Sequence, residues 1–181
     1  MKVAFVIVLL LFITDISAQP DSGKVILDRK LSWSDFTGEV DKSSAFSAMT
    51  YWSINYSYQA RWHQSDTAYV TFTIHPRFES KSWVKRNLKS DELLQHEQGH
   101  YDLAIICAEM LKGKFSSYTF FKEDYTQKID SIFQSTHQLI KQIELQYDTE
   151  TNHMLNREEQ KQWNSNIRKL LEKVPDINHD R

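Results

Sequence analysis

The stretch "DELLQHEQGHYDLA", residues 91–104, decides both the fold and the chemistry that the sequence predicts. His96 and His100 lie four positions apart, and Glu97 directly follows the first of them. In an α-helix, residues four apart lie on one face about one turn along. Both imidazoles can therefore reach a single ion, while Glu97 projects in a neighbouring direction. The stretch predicts a helix that carries a metal site.

The residues around this stretch have the spacing of an amphipathic helix. Ser90 can cap its start, Asp91 and Glu92 suit its positive end, and Gly113 offers a natural stop. The apolar positions that recur at intervals of three and four are Leu93, Leu94, Leu103, Ile106, Cys107, Met110 and Leu111. The sole cysteine belongs to this pattern, so we interpret it as a small buried residue and not as a nucleophile.

Two segments before the helix alternate apolar and polar residues, with the period of two that half-buried strands show. The first is "FSAMTYWSINYSY", residues 46–58, and the second is "AYVTFTIHPRF", residues 68–78. The short polar link "HQSDT", residues 63–67, joins them. This arrangement predicts an antiparallel strand pair.

Two further amphipathic helices are predicted after the first. The second has an apolar pattern from Tyr125 to Ile143 and is expected to end near Gln146. The third is expected to begin after Asn156, whose side chain can cap it while Glu159 reaches back as in a capping box. Its predicted inward positions are Trp163, Ile167, Leu170, Leu171 and Val174. The segment between these helices, "YDTETNHML", is expected to be a loop.

The composition favours one compact, mainly helical domain. The chain is 40% hydrophobic and 25% charged, and it contains only 4 glycines and 3 prolines. Its net charge of -2 gives no basic surplus for binding phosphates, which argues against a nucleic-acid partner. We expect an α+β fold of zincin type: a small antiparallel sheet, then the helix with the HExxH pattern, then two further long helices.

The first residues have the features of a secretory signal. A lysine precedes an apolar run from Val3 to Ile13, and Ser17 and Ala18 offer a cleavage site. The run is too short to cross a bilayer comfortably, although an uncleaved anchor is the alternative. We therefore expect a signal peptide at 1–18, a single domain at 19–181 and no membrane insertion after cleavage. The mature chain is expected to be a monomer, either periplasmic or secreted.

The HExxH pattern suits zinc-dependent hydrolysis. Zinc held by two imidazoles and a third protein ligand keeps a position for water, whose proton a neighbouring glutamate takes during attack on a carbonyl. Glu97 is the predicted general base. The third ligand is open among His153, Asp148 and Glu150, and His153 is favoured because its polar loop follows a long antiparallel helix that returns the chain to the motif. The alternative for the histidine pair is a solvated helix face without metal.

Several nearby residues are candidates for supporting roles. Glycine within a helix costs about 1 kcal/mol relative to alanine, so Gly99 suggests that another segment packs closely there. The alternative is an accident of the exposed face. Tyr147 and Tyr101 are candidates to stabilise an oxyanion with a hydroxyl. Asp102 and Glu92 are candidates to orient a ligand histidine through its second ring nitrogen.

Four segments together resemble a known family. They are "LSWSDFTG" (31–38), "SWVKR" (82–86), "LLQHEQGHYDLA" (93–104) and "YDTETNHMLNREEQKQW" (147–163). The chain resembles an uncharacterised bacterial family of predicted secreted zinc-dependent proteases, classed as domain of unknown function 922. The resemblance implies zinc, the metal ligands His96, His100 and His153, and Glu97 as the base. The family pattern usually has glycine after the late histidine, where this chain has Met154.

The sequence thus predicts an exported zinc metallopeptidase that hydrolyses peptide bonds in a peptide or protein substrate. Two other functions are compatible with the same residues. One is an exported binding or scaffold protein that keeps the zincin-like fold without turnover. The other is a zinc amidase that acts on cell-wall material.

Overall fold

The computed structural model describes residues 23–26, 29–62 and 66–173. The predicted signal peptide lies outside these residues, and so does Val174, a predicted inward position of the third helix. The described chain has an α+β architecture of small antiparallel sheets and three helices. None of its helices has both the length and the apolar character needed to cross a membrane.

The main sheet is built around one antiparallel hairpin. The strands are β1 (Gly23–Lys24), β2 (Ala48–Met49), β3 (Trp52–Arg61), β4 (Thr67–Glu79), β5 (Trp83–Val84) and β6 (Phe120–Phe121). β3 and β4 pair along the length of β3, with Trp52 opposite Phe78 and Arg61 opposite Tyr69. β6 pairs with the start of β4 and β1 with its end, while β2 and β5 form a separate pair. The predicted strand pair is confirmed.

The alternation in β3 and β4 separates a core face from a solvent face, as the sequence predicts. Ile74 and Phe78 are buried, and Tyr56 packs against the core, whereas Asn55 and Thr73 are exposed. The aromatic side chains of the core face contact the helices. Because a strand sends successive side chains to opposite faces, this one pattern fixes which face of the sheet receives the helices.

The first helix, α1 (Asp91–Ser117), is longer than predicted. The Ser90 side chain accepts a hydrogen bond from the backbone N–H of Leu93 at 3.1 Å, so the predicted cap is confirmed. The predicted stop at Gly113 is wrong, because the helix continues through this exposed position. Phe115 extends the buried face, and its ring stacks on Phe72 with 4.1 Å between centroids.

The second helix, α2 (Tyr125–Thr151), continues past the predicted end at Gln146. Tyr147 and Asp148 are therefore helical, and the predicted loop at 147–155 is wrong over its first part. The helix continues because Tyr147 and Thr151 extend the buried face of α2. The turn that follows has three residues in the left-handed region: Asn152 (φ 46°), His153 (φ 50°) and Met154 (φ 77°).

The third helix, α3 (Arg157–Leu171), begins at the predicted cap. The Asn156 side chain accepts a hydrogen bond from the N–H of Glu159 at 3.4 Å. The buried face contains Gln160 and Ile167, and Leu171 packs at its end. The inward position predicted for Leu170 is wrong, since this side chain is 46% exposed. A helix advances 100° per residue, which puts Leu170 at the edge of that face.

The helix α1 is the central element of the fold. It contacts β3 and β4 as well as α2 and α3. The buried apolar side chains of the sheet and of all three helices form one cluster. Cys107 lies in this cluster, as predicted, and burial raises the pKa of its thiol to about 12. Such a thiol is not a ready nucleophile.

Candidate metal centre

Two helices bring three metal-ligating side chains together. The Nε2 atoms of His96 and His100 on α1 lie 3.2 Å and 3.0 Å from Oδ1 of Asp148 on α2. The ligand atoms of the three side chains all lie within 4.8 Å of one another. Two ligands of a tetrahedral zinc ion at about 2.05 Å from it are about 3.3 Å apart. This donor set of two imidazoles and one carboxylate fits a zinc ion.

The convergence follows from how α1 and α2 pack. The two helices run antiparallel, because His100 meets Asp148 near one end and Lys114 meets Thr136 further along. The two histidines are four apart and therefore share the face of α1 that contacts α2. His96 is buried, whereas the side chain of Asp148 is 30% exposed. The site can therefore be reached from the side of Asp148.

The second ring nitrogen of each histidine has its own partner. Nδ1 of His96 lies 3.0 Å from Oε1 of Gln160 on α3. Nδ1 of His100 lies 3.3 Å from Oε1 of Glu144 on α2, which also accepts a hydrogen bond from the Trp52 indole at 2.6 Å. Metal-binding histidines usually donate their second N–H to a carbonyl or carboxylate group in this way. Both Nε2 atoms are thus directed at the same point.

The two residues that the sequence suggested for this orienting role lie elsewhere. Glu92 is exposed at the start of α1. Asp102 accepts a hydrogen bond from Gln98 at 2.7 Å, and its burial raises the pKa of the carboxyl to about 6. The prediction that Asp102 or Glu92 orients a histidine is wrong. Their spacing from the motif is suitable, but partners from other helices fill the space beside the rings.

The charges at the centre favour a cation. Burial disfavours the charged form of His100, but hydrogen bonds to Asp148 and Glu144 outweigh it and raise the pKa of this imidazole to about 10. Burial also acts to raise the pKa of both carboxyls, yet their contacts with His100 leave each pKa below its ordinary value. A metal ion supplies positive charge at the same place. Binding it requires His100 to release its proton.

Glu97 lies buried beside the histidines and faces a different element. Its Oε2 accepts a hydrogen bond at 2.7 Å from Oγ1 of Thr50, which follows β2. Thr50 is itself buried, so the contact holds the carboxylate in one orientation. The negative charge of Glu97 is one of the influences that raise the pKa of His100. The motif glutamate therefore has a fixed position on α1, directly after His96 in the chain.

The close packing that Gly99 suggests is confirmed, and the packed segment is Tyr147. A Cβ atom on Gly99 would lie 2.8 Å from Cζ of Tyr147. The fully buried Tyr147 ring stacks on the His96 ring with 4.8 Å between centroids. Its hydroxyl donates a hydrogen bond to the backbone carbonyl of His96 at 3.0 Å. The oxyanion role of Tyr147 stays a prediction. In that role the hydroxyl would have to donate its hydrogen bond to the substrate and no longer to the carbonyl of His96.

His153 and Glu150, the other candidates for the third ligand, lie at different distances from the centre. Nδ1 of His153 is 3.5 Å from Oδ1 of Asp148, and its side chain is 45% exposed. The rings of His153 and His96 have 6.4 Å between centroids. Glu150 instead accepts a hydrogen bond from the Trp163 indole at 2.7 Å. Asp148 completes the group, His153 lies at its rim, and ligation by His153 stays a prediction.

Tyr101, the second candidate hydroxyl, has a structural role. Its oxygen accepts a hydrogen bond from the N–H of Ile26 at 3.0 Å and donates to the carbonyl of Pro76 at 3.4 Å. Two other histidines of the described residues lie outside the group of side chains that could hold a metal ion. His75 is exposed on β4, and His137 stacks on Phe133.

Three residues of the site were missed by the sequence reasoning: Thr50, Glu144 and Gln160. Glu144 and Gln160 carry a signal that was available. Each is a polar residue at a position that helical spacing assigns to the buried face, since Glu144 lies between Ile140 and Tyr147. A buried polar residue needs a polar partner, so such positions indicate a network. Thr50 carries no comparable signal.

Comparison with known proteins identifies the family. The model of a family described as "Bacterial protein of unknown function (DUF922)" matches residues 26–154. Searches of curated proteins and of solved structures each find no match. The matched segment includes α1, α2 and every candidate ligand, and it stops just before α3. The chain therefore belongs to the bacterial DUF922 family, whose function is unknown.

Proposed function

We propose that this protein is an exported zinc-dependent peptidase with a zincin-like fold, active in the periplasm or after secretion. One observation carries the proposal: two imidazole nitrogens on one helix converge within 3.2 Å of a single carboxylate oxygen on another. A buried glutamate, Glu97, lies beside them on the same helix. These are the groups that hydrolysis of a peptide bond at a zinc site requires.

The ligands in this proposal are His96, His100 and either Asp148 or His153. Oδ1 of Asp148 lies 3.2 Å and 3.0 Å from the two Nε2 atoms, whereas the resemblance favours His153. A zinc ion held there would polarise the substrate carbonyl and activate a water molecule. The residues themselves direct both Nε2 atoms inward, because Gln160 and Glu144 engage the Nδ1 atoms.

Glu97 acts as the general base in the proposed reaction. It accepts the proton of the attacking water at its carboxylate and passes it to the leaving amine. The Thr50 hydroxyl occupies one carboxylate oxygen, Oε2, at 2.7 Å. The hydrogen bond restricts rotation of the carboxyl group, so the other oxygen keeps one direction. Such preorganisation is needed for efficient proton transfer.

We expect an extended peptide substrate to pair with the edge of β2 that faces away from β5. The N–H of Lys85 donates to the carbonyl of Ser47, so the backbone groups of Ser47 face β5. In an antiparallel pair, successive residues present these groups to opposite sides, and those of Ala48 therefore face away from β5. Among the described residues no strand pairs with that edge. A peptide there would run beside Thr50 and Glu97.

The metal content of the mature chain, residues 19–181, is the first test. Elemental analysis is expected to give about one zinc per chain. His96→Ala should lose it. The variants Asp148→Ala and His153→Ala decide the third ligand, since only the true ligand's loss should abolish stoichiometric binding. Wild-type protein that takes up no zinc after reconstitution would contradict the proposed function.

Glu97→Gln separates turnover from binding. The amide cannot accept the proton, so hydrolysis of a peptide library should fall by at least about 100-fold while zinc remains bound. Glu109→Gln, a change of the same chemistry further along α1, should keep full activity. An active Glu97→Gln variant would remove Glu97 as the base. Zinc-loaded protein inactive on peptides but active on cell-wall fragments would instead favour the amidase.

A further inference from the structure

Gln160 occupies an unusual position for a glutamine. It is only 3% exposed, on the face of α3 that packs against α1 and α2. All of its side-chain polar atoms have partners. Oε1 lies 3.0 Å from Nδ1 of His96, and Nε2 lies 2.7 Å from the Tyr147 hydroxyl and 2.8 Å from Oδ1 of Asn164. The three side chains of the metal-ligand group all lie on α1 and α2. The contact between Gln160 on α3 and His96 is therefore additional to that group.

The network fixes the direction of each hydrogen bond. The carbonyl of His96 can only accept, so the Tyr147 hydroxyl donates to it. The hydroxyl oxygen therefore accepts from Nε2 of Gln160, whose second hydrogen is directed to Asn164. This leaves Oε1 of Gln160 as an acceptor facing His96. The proton of the neutral His96 ring consequently lies on Nδ1, and the lone pair of Nε2 faces the centre.

We propose that Gln160 is a positioning residue for the metal centre, holding His96 in the tautomer and orientation that present Nε2 to the ion. The inference rests on the proposed function and adds that α3, beyond the segment that the family model matches, completes the site. Tyr147 supports this role twice, since it stacks on the His96 ring and fixes the Gln160 amide.

Zinc affinity measures this role directly. Loss of such an outer partner costs about 10- to 100-fold in metal affinity. Gln160→Met keeps the length of the side chain and removes the acceptor, so zinc should bind about 10- to 100-fold more weakly in competition with a chelator. Gln162→Met is the matched control, because Gln162 lies exposed on the same helix, and it should bind as the wild type does. Gln160→Glu restores an acceptor for Nδ1–H and should recover most of the affinity.

A second measurement does not depend on any variant folding. Long-range ¹H–¹⁵N correlation spectra of the zinc-loaded wild type are expected to show His96 with its proton on Nδ1, protected from exchange with solvent. An Nδ1 proton that exchanges freely with solvent, or equal zinc affinities of wild type and Gln160→Met, would overturn the role of Gln160 alone, whereas a proton on Nε2 would contradict ligation by this nitrogen and with it the proposed centre. A wild type that binds no zinc would overturn the proposed function and this inference with it.

Discussion

The two halves of α1 differ in what they bury. Up to Asp102 the helix buries mainly polar or small residues, and from Leu103 onward it buries only apolar ones. The buried residues of the first half are Leu93, His96, Glu97, Gly99 and Tyr101. Those of the second half are Leu103, Ala104, Ile105, Ile106, Cys107, Ala108, Leu111 and Phe115. One continuous helix thus has a mainly polar buried face in its first half and an apolar buried face in its second.

The difference shows how a small protein can hold a polar centre in its interior. In the first half every buried ionisable side chain has a partner: His96 faces Gln160, and Glu97 faces Thr50. Burying such groups is unfavourable even when they are hydrogen-bonded. The second half buries apolar surface, which is favourable at about 25 cal/mol per Å². The apolar half therefore stabilises the fold and offsets the cost of burying the polar side chains of the first half.

The largest expected effect is on metal binding, and only in the polar half. His100→Ala should lower zinc affinity by more than about 100-fold, because losing a ligand exceeds the loss of an outer partner. The variant also removes the cationic neighbour that Asp148 and Glu144 share, and although Glu144 keeps its ion pair with Lys141, the stability of the metal-free fold should fall by about 3 kcal/mol. His75→Ala, at an exposed position on β4, is the control. Stoichiometric zinc in His100→Ala would contradict the assigned centre.

The apolar half should respond in stability and not in metal binding. Phe115→Ala removes the ring stacked on Phe72 and should destabilise the protein by about 4 kcal/mol in urea unfolding. Zinc affinity of the folded fraction should stay within about twofold. Phe121→Ala changes an exposed phenylalanine and should cost less than about 1 kcal/mol. A large loss of zinc affinity in Phe115→Ala would show that the two halves are coupled.

Two glycines of α1 allow a matched comparison of the halves. A Cβ at Gly99 would press on the Tyr147 ring, so Gly99→Ala should destabilise by about 2 kcal/mol and weaken zinc binding. Gly113 has nothing within 4 Å of such an atom. Gly113→Ala should therefore stabilise by about 0.5–1 kcal/mol through helix propensity alone. Thermal unfolding measures the change in stability of both variants. Equal changes in Gly99→Ala and Gly113→Ala would show that the two halves of α1 do not differ in packing at these glycines.

The smallest expected effect concerns the N-terminal segment that covers the polar half. This segment contacts α1 where the N–H of Leu31 donates to Gln98 at 2.6 Å. The Arg29 guanidinium, with Lys24 and Ser32, holds the pKa of Asp35 well below its usual range despite burial. A lowered pKa contributes stability above about pH 4, and this stability is lost as the pH falls further.

The wild type should therefore lose about 1 kcal/mol more than Asp35→Asn between pH 5 and pH 2, because solvent screens the half-exposed cations. Urea unfolding at a series of pH values measures the difference. Zinc binding at pH 7 should be unchanged in a folded Asp35→Asn protein. Parallel stability profiles for the two proteins would show that Asp35 does not hold the segment in place.

Local patterns predicted those parts of the fold that local interactions determine. The alternation in β3 and β4 and the caps Ser90 and Asn156 depend on neighbours in sequence, and each is confirmed. The ends of α1 and α2 were predicted too early. At both ends tertiary packing overrides the local signal, since Phe115 extends one helix and Tyr147 the other.

The candidate site likewise has one part that local spacing predicts and another that depends on long-range contacts. The spacing of His96 and His100 is a local property and placed both on one helix face. Their partners are long-range: Asp148 is 48 positions from His100, and Gln160 is 64 positions from His96. No periodicity identifies which of several polar residues near the end of the chain meets the motif. The antiparallel packing of α1 and α2 determines that Asp148 contacts the motif.

The left-handed turn after α2 determines how α3 is placed against the centre. A non-glycine residue in this region costs about 1 kcal/mol or more, and Asn152, His153 and Met154 adopt it in succession. The packing of α2 and α3 on α1 offsets this cost in the folded protein. The turn places His153 at the rim of the centre and returns the chain so that Gln160 on α3 meets His96. Relaxing the turn should therefore loosen the contact between Gln160 and His96 while His96, His100 and Asp148 stay together on α1 and α2.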